Sequence, residues 1–501
     1  MGLPKIIQGG MGVGVSNWRL ARAVSREGQL GVVSGTALDQ VLARRLQDGD
    51  PGGHMRRALN RFPNPEIAER IWRAFYIPGG RAAGDPYRRL PAPAKDASQE
   101  AIELSIVSNF VEVSLARGGH NNPIGINYLE KIQIPHLPSI YGAMLAGVDT
   151  VLMGAGIPLR IPGVLDRLAR QEAAEYPMTV AGAQPGDDTT LRFDPKDFPS
   201  GEPGELKRPR FLAIIASNTL ALTLLKKANG RVDGFIVEGP DAGGHNAPPR
   251  GKLQLNEAGE PVYGERDQVD LAKMRELGVP FWLAGGYGSP ERLKQALEAG
   301  AAGIQVGTAF AFCTESGLRP DYRLQSLSRI AGGEAEIFTD PLASPTGFPF
   351  KVVALEGTLS EEEAYQARPR VCDLGYLREA YRTEAGDIGY RCAGEPVTVY
   401  ESKGGHAEDA AGRKCLCNGL MANIGYQQIR NGRRVEQGLL TAGDDLKNVV
   451  RFLPAEGLEY SAAAVIAGIM VREGRLKGGC SQDWLPHENT GMAVYRNRGA
   501  G

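Results

Sequence analysis

Eight short apolar runs, each followed by a helical pattern, lie within residues 1–315, and several of them end in glycine-rich turns. The runs lack the alternation of a half-exposed sheet, so they read as strands covered on both faces, as in a parallel sheet wrapped by helices. Together these observations predict an α/β chain. It is a (β/α)₈ TIM barrel over residues 1–315 with helical insertions, followed by an appended, mainly helical C-terminal region over 316–501.

The first strand, residues 5–8 (KIIQ), runs into Gly9-Gly10-Met11-Gly12, and Ser16 is expected to cap a helix over 17–26. A second strand at 30–33 ends in Ser34-Gly35 and returns through a helix over 37–47. Residues 48–118 interrupt the alternation with arginine-rich helical patterns and a Pro-rich turn at 78–93, and read as an insertion covering one mouth of the fold. Alternation resumes with a strand at 123–127 (PIGIN), a helix at 136–147 and a strand at 150–153 ending at Gly154. Residues 179–208, rich in Gly, Pro, Asp and Lys, read as a surface excursion. Strands at 211–216, 232–237, 280–284 and 302–306 complete the set, with helices at 219–228, 270–277 and 291–299 between them. An open dinucleotide-binding sheet is the competitor. The glycines at 9, 10, 12 and 14 do not form its G-x-G-x-x-G turn with a following acidic residue.

With 501 residues, the chain has room for a barrel and an appendage. Lys and Arg (57) balance Asp and Glu (58), so no overall field attracts nucleic acid or an anionic membrane, and the expected partners are small molecules. No apolar run approaches the roughly 20 residues of a membrane span. The first 15 residues lack the pattern of a secretory signal, and a cytoplasmic protein is expected. Six cysteines in so long a chain do not make a disulfide scaffold, although only Cys313 precedes residue 370.

Chemistry is concentrated at strand ends. In VDGFIVEGPDAGGH (232–245) a buried strand gives way to Glu238, the glycines 239, 243 and 244, and then His245. A histidine at such a rim is placed to meet a substrate above a flat ligand, or else bonds a loop carbonyl. Strand seven ends in Ala284-Gly285-Gly286-Tyr287-Gly288 before a helix opened by Ser289-Pro290, and strand eight ends in Gln305-Val306-Gly307-Thr308. In this barrel type, neighbouring turns after strands seven and eight supply amides for a phosphate, although small residues also permit tight turns alone.

Gly9-Gly10-Met11-Gly12, Ile126-Asn127, Ala242-Gly243-Gly244-His245, Ala284-Gly285-Gly286 and Gln305-Val306-Gly307-Thr308, in this order over residues 4–312, resemble the nitronate monooxygenase family. That family shares its FMN-binding barrel with flavin enoyl reductases, including trans-acting reductases of polyketide and polyunsaturated fatty acid synthesis. The resemblance implies FMN as cofactor, with Gly285, Gly286, Gly307 and Thr308 at its phosphate and Gly9, Gly10, Met11 and Asn127 along its rings. It also implies Glu238, Gly243, Gly244 and Gln305 as cofactor-binding, and His245 as the catalytic residue. One departure stands out: where the monooxygenases usually carry glutamine, this chain has Glu238, as in the reductase branch. The resemblance thus implies a nitronate oxidised with O₂ to a carbonyl compound and nitrite. Its alternative is an enoyl thioester reduced with NAD(P)H, with an acyl carrier protein as partner in the reductase case.

Cys372, Cys392, Cys415 and Cys417 gather in the C-terminal region; four thiolates could bind zinc or an iron-sulfur cluster, but without a C-x-x-C pair they read rather as reduced buried thiols with no metal. The basic residues near them, Arg391, Lys403, Arg413 and Lys414, read as a solvated surface. The loop 344–349 (SPTGFP) is rigid enough to fold back over the barrel mouth as a lid. Residues 461–471 carry small apolar residues at helical spacing, suited to packing or to a homo-oligomer contact.

Overall fold

The computed structural model describes residues 2–198, 204–430, 433–434 and 436–470. Its parallel strands are β1 (Ile6–Gln8), β2 (Gly31–Ser34), β3 (Ile124–Leu129), β4 (Thr150–Gly154), β5 (Arg210–Ile215), β6 (Gly234–Glu238), β7 (Phe281–Ala284) and β8 (Gly303–Val306). They lie in one sheet in the order β1-β8-β7-β6-β5-β4-β3-β2, each within two residues of its expected place. The fold is a TIM barrel.

The last seam, between β1 and β2, is closed by a parallel bridge between Ile7 and Leu30, by Leu30 N donating to Ile6 O at 3.1 Å, and by Gln8. Gln8 N donates to Leu30 O at 3.0 Å, and the Gln8 side chain accepts from Val32 N at 2.9 Å while donating to Ser16 Oγ at 2.7 Å. Inside the barrel, Ile7, Leu30, Val32, Leu152, Leu212, Ile236, Trp282 and Ala284 form one apolar cluster, so the interior is filled and only the strand ends are free to build a site. The helices α1 (Trp18–Arg26), α2 (Leu38–Gln47), α3 (His136–Leu145), α4 (Ile161–Ala169), α5 (Asn218–Lys227), α6 (Leu271–Glu276), α7 (Pro290–Glu298) and α8 (Thr308–Ala311) cover its outside. At Gly31 the approach is so close that a Cβ would lie 1.9 Å from Ala21 O of α1.

Several expectations need correction. Asn17, not Ser16, caps α1, accepting from Arg19 N and Leu20 N; Ser16 is drawn inward to Gln8 and Gly9 instead. Helix α4 was hidden by its loop-like flanks. The 48–118 insertion does not simply cover a mouth: its helix Gln99–Ala116 is buried along most of its length and packs among α1, α2 and α3, because it is apolar on nearly every side. The 179–208 excursion is tied down, with Thr190–Phe193 pairing antiparallel to Ala174–Pro177 and Val180–Ala181 pairing with Glu379–Arg382 of the tail.

In the C-terminal region helix predominates, with short β pairs such as Ile337–Asp340 with Phe350–Val353. Leu440, Ala442, Leu446, Val449 and the helix Ala462–Ile469 join the same hydrophobic cluster as the barrel helices. Residue 471 and His487 lie outside the described residues. Among the described residues no helix is long and apolar enough to cross a membrane.

Gln8→Leu leaves the Val32 amide without its buried acceptor. Urea unfolding is expected to register a loss of about 1–3 kcal/mol, whereas an unchanged midpoint would remove Gln8 from the closure.

Candidate active site

The C-terminal ends of the strands open into one cavity of about 450 Å³, a size within the usual range for small-ligand and cofactor sites. Every residue singled out in the sequence for catalysis or cofactor binding lines it, including Gly9, Gly10, Met11, Asn127, Glu238 and His245. None is left elsewhere in the fold. The barrel alternation explains this: the turns after β1, β6, β7 and β8 lie side by side because those strands are neighbours in the sheet.

Glycine is required where chains meet. A Cβ on Gly10 would fall 2.2 Å from Cβ of Asn127, and one on Gly243 would fall 2.7 Å from the Ala442 carbonyl carbon. Gly285 and Gly286 have φ of 95° and 68°, which aims the turn after β7 back over the cavity. Among the described residues, the amides of Gly286, Gly307 and Thr308 have no acceptor. Three side-chain oxygens of residues lining the same cavity, Asn127 Oδ1, Gln305 Oε1 and Asn246 Oδ1, are buried with no hydrogen-bond partner. Buried acceptors of this kind are rare and need a donor.

These groups fit FMN. Free amides suit its phosphate, orphaned acceptors suit ring N–H, and Met11 with Ile214 supplies an apolar surface for a flat ring. The phosphate end has two features the sequence did not disclose. Thr308 Oγ1 accepts from Gly443 N at 2.9 Å, and its hydroxyl is hydrogen-bonded to the Asp445 carboxyl. Asp445 stands beside it, and burial, with Asp444 and Asp241 nearby, pushes its carboxyl up.

At the mouth, His245 Nε2 lies 2.7 Å from Ser344 Oγ, and its ring meets Phe350 edge-on at 5.0 Å. Burial, with the Lys131 ammonium nearby, lowers its pKa to about 4, so the imidazole is neutral near pH 7. Lys131 Nζ sits 3.6 Å over the Phe348 ring. The 344–349 loop therefore does reach the mouth. Lys131, Asn246, Phe350 and Ser344 were not singled out as site residues in the sequence; only the adjacency of Asn246 to His245 offered a signal. Glu238 turns its remaining surface into the cavity, and desolvation there raises its pKa to about 7. The four clustered cysteines are free thiols, and among the described residues no group of three or more His, Cys, Asp or Glu is placed to hold a metal.

Because the folded pKa of Glu238 lies above the ordinary carboxylate value, its contribution to stability is complete at low pH and is lost as pH rises through about 7. Glu238→Gln should therefore raise the melting temperature of cofactor-free protein at pH 8 and leave it nearly unchanged at pH 5. An equal shift at both values would contradict the burial of that carboxyl.

Residues 205–329 match the family described as nitronate monooxygenase. The probable nitronate monooxygenase of Bacillus subtilis is 34% identical over 123 residues, 25% of this chain and 33% of that protein. The nitronate monooxygenase of Pseudomonas aeruginosa is 34% identical over 110 residues, 22% of this chain and 29% of that one. The aligned part thus spans about a third of each curated relative. A nitroalkane oxidase structure from Streptomyces ansochromogenes superposes with a TM-score of 0.45 at 15% identity, covering 93% of this chain and 94% of that one. Over residues 205–329, which carry β5 to β8 and His245, this chain is similar to the nitronate monooxygenase family.

Proposed function

We propose that this protein is an FMN-dependent oxidoreductase, a nitronate monooxygenase that converts alkyl nitronates and O₂ into carbonyl compounds and nitrite. The observation that carries the reading is the convergence, in one cavity, of unbonded amides at Gly286, Gly307 and Thr308, orphaned acceptors at Asn127 and Gln305, and a neutral imidazole at His245. Bound flavin would supply electron acceptance from the substrate and the reaction with oxygen. The chain supplies the rest. The three amides would hold the phosphate, and Asn127 and Gln305 would accept from the flavin's ring N–H and ribityl hydroxyls. The apolar wall of Phe348, Phe350 and Leu374 receives the alkyl group and excludes water.

His245 orients the substrate. An imidazole whose pKa is lowered to about 4 is a poor base toward a neutral nitroalkane, so the anionic nitronate is the better substrate. Lys131, close enough to lower that pKa, adds a field favourable to an anion.

Glu238 favours a second reading, an enoyl-thioester reductase using NAD(P)H, because a carboxyl with a pKa raised to about 7 can donate a hydrogen bond to a carbonyl as well as accept one. Stopped-flow reduction separates the two. Anaerobic bleaching of the yellow protein by propionate 3-nitronate, slowed at least tenfold by His245→Ala, is the expected result. Rapid bleaching by NADPH with crotonyl-thioester turnover, and none by nitronate, would overturn the first reading in favour of the second.

A further inference from the structure

The tail places a hydroxyl pair behind the imidazole, and the protons of that pair point to one tautomer of the ring. Ser344 is fully buried, and its Oγ has three neighbours: His245 Nε2 at 2.7 Å, Thr346 Oγ1 at 2.8 Å and the Thr346 amide at 3.2 Å. The amide can only donate. A serine hydroxyl has one proton and two acceptor sites, so one remaining bond must be donated by Ser344 and one accepted. If Ser344 accepted from His245, its proton would go to Thr346 Oγ1, and the hydroxyl proton of the half-buried Thr346 would be left to solvent, outside the protein's own network. If Ser344 donates to His245 Nε2, Thr346 Oγ1 donates to Ser344 and every proton is used. Burial and Lys131 disfavour the doubly protonated ring that would escape this choice.

We propose that Ser344 and Thr346 lock His245 as the Nδ1–H tautomer, so that the ring presents a hydrogen-bond donor to the oxygens of the bound substrate. Among the described residues Nδ1 has no protein partner, and the ring lines the cavity. Ser344 is thus a positioning residue. Its own backbone is held by the tail, since Arg413 Nη1 donates to Ser344 O at 2.7 Å and Lys414 N to Ala343 O at 2.8 Å. Lys131 Nζ also reaches Thr346 O at 3.3 Å, which fixes the second hydroxyl. The same device orients imidazoles elsewhere: a partner on one ring nitrogen decides what the other offers.

The proposal rests on reading His245 as the group that meets substrate, but its first test does not. Full-length protein labelled with ¹⁵N-histidine, with the His245 signals assigned by their loss in His245→Ala, should give long-range ¹H–¹⁵N correlations at pH 7 with Nδ1 protonated and Nε2 bare. Ser344→Ala should move that ring toward the Nε2–H form, and Thr346→Val should do so in part, giving a second variant if the first folds poorly. A wild-type ring protonated at Nε2 overturns the lock. So does an unchanged tautomer in both variants. In turnover, Ser344→Ala should raise KM for propionate 3-nitronate about tenfold with a smaller change in kcat, and Ser344→Thr should restore it. Undiminished turnover in His245→Ala would instead refute the catalytic reading, while the tautomer result stands on its own.

Discussion

The site depends on a short antiparallel contact between the loop after β6 and the tail. His245 and Phe350 form a bridge, with Asn246 N donating to Pro349 O and Lys351 N to Gly244 O, both at 3.0 Å. Gly244 N adds a bond to Thr441 Oγ1 at 2.7 Å. An unconstrained glycine-rich loop would sample many conformations, at an entropy cost of roughly 1–2 kcal/mol per residue when it is fixed. Here the cost is offset before any ligand arrives. The tail is therefore part of the cavity wall, and its length has a chemical purpose: it carries Phe348, Phe350 and Ser344 to the mouth and Gly443 with Asp445 to the phosphate end.

The barrel contributes a different kind of order. Its interior is packed with aliphatic side chains and Trp282, so the strand ends are held by a core that does not have to move. Polar groups with no protein partner occur where that core stops, at Asn127, Gln305 and Asn246. Unpaired acceptors there cost stability in the empty protein and are relieved by a ligand with matching N–H groups. The two perturbed ionisable groups point the same way. Enclosure favours the uncharged forms of both His245 and Glu238, which suits a water-poor site that exchanges hydrogen bonds with its ligand.

Much of this was legible in the sequence because the barrel strands are short, apolar and punctuated by glycine. Neighbouring strand ends then bring Gly285, Gly286, Gly307 and Thr308 together by topology alone. What stayed hidden was set by tertiary contact. Nothing local to Lys131 announces that it lies at the mouth, and although loop 344–349 was expected there, nothing in it announces that Ser344 would meet His245. Helix Gln99–Ala116 looked like part of a peripheral insertion because its arginine-rich surroundings masked an almost wholly buried segment. Ser16 looked like a helix cap because its hydroxyl suits that task, but the buried amide of Gln8 competes for it and Asn17 takes the cap.

The most direct measurement is a crystal structure of the protein as purified. The account predicts density for an isoalloxazine ring against Gly10 and Asn127, its phosphate at the amides of Gly286 and Gly307, and the His245 ring facing it with Ser344 behind. A cavity closed by its own side chains, or a phosphate end occupied by the Asp445 carboxylate, would contradict it.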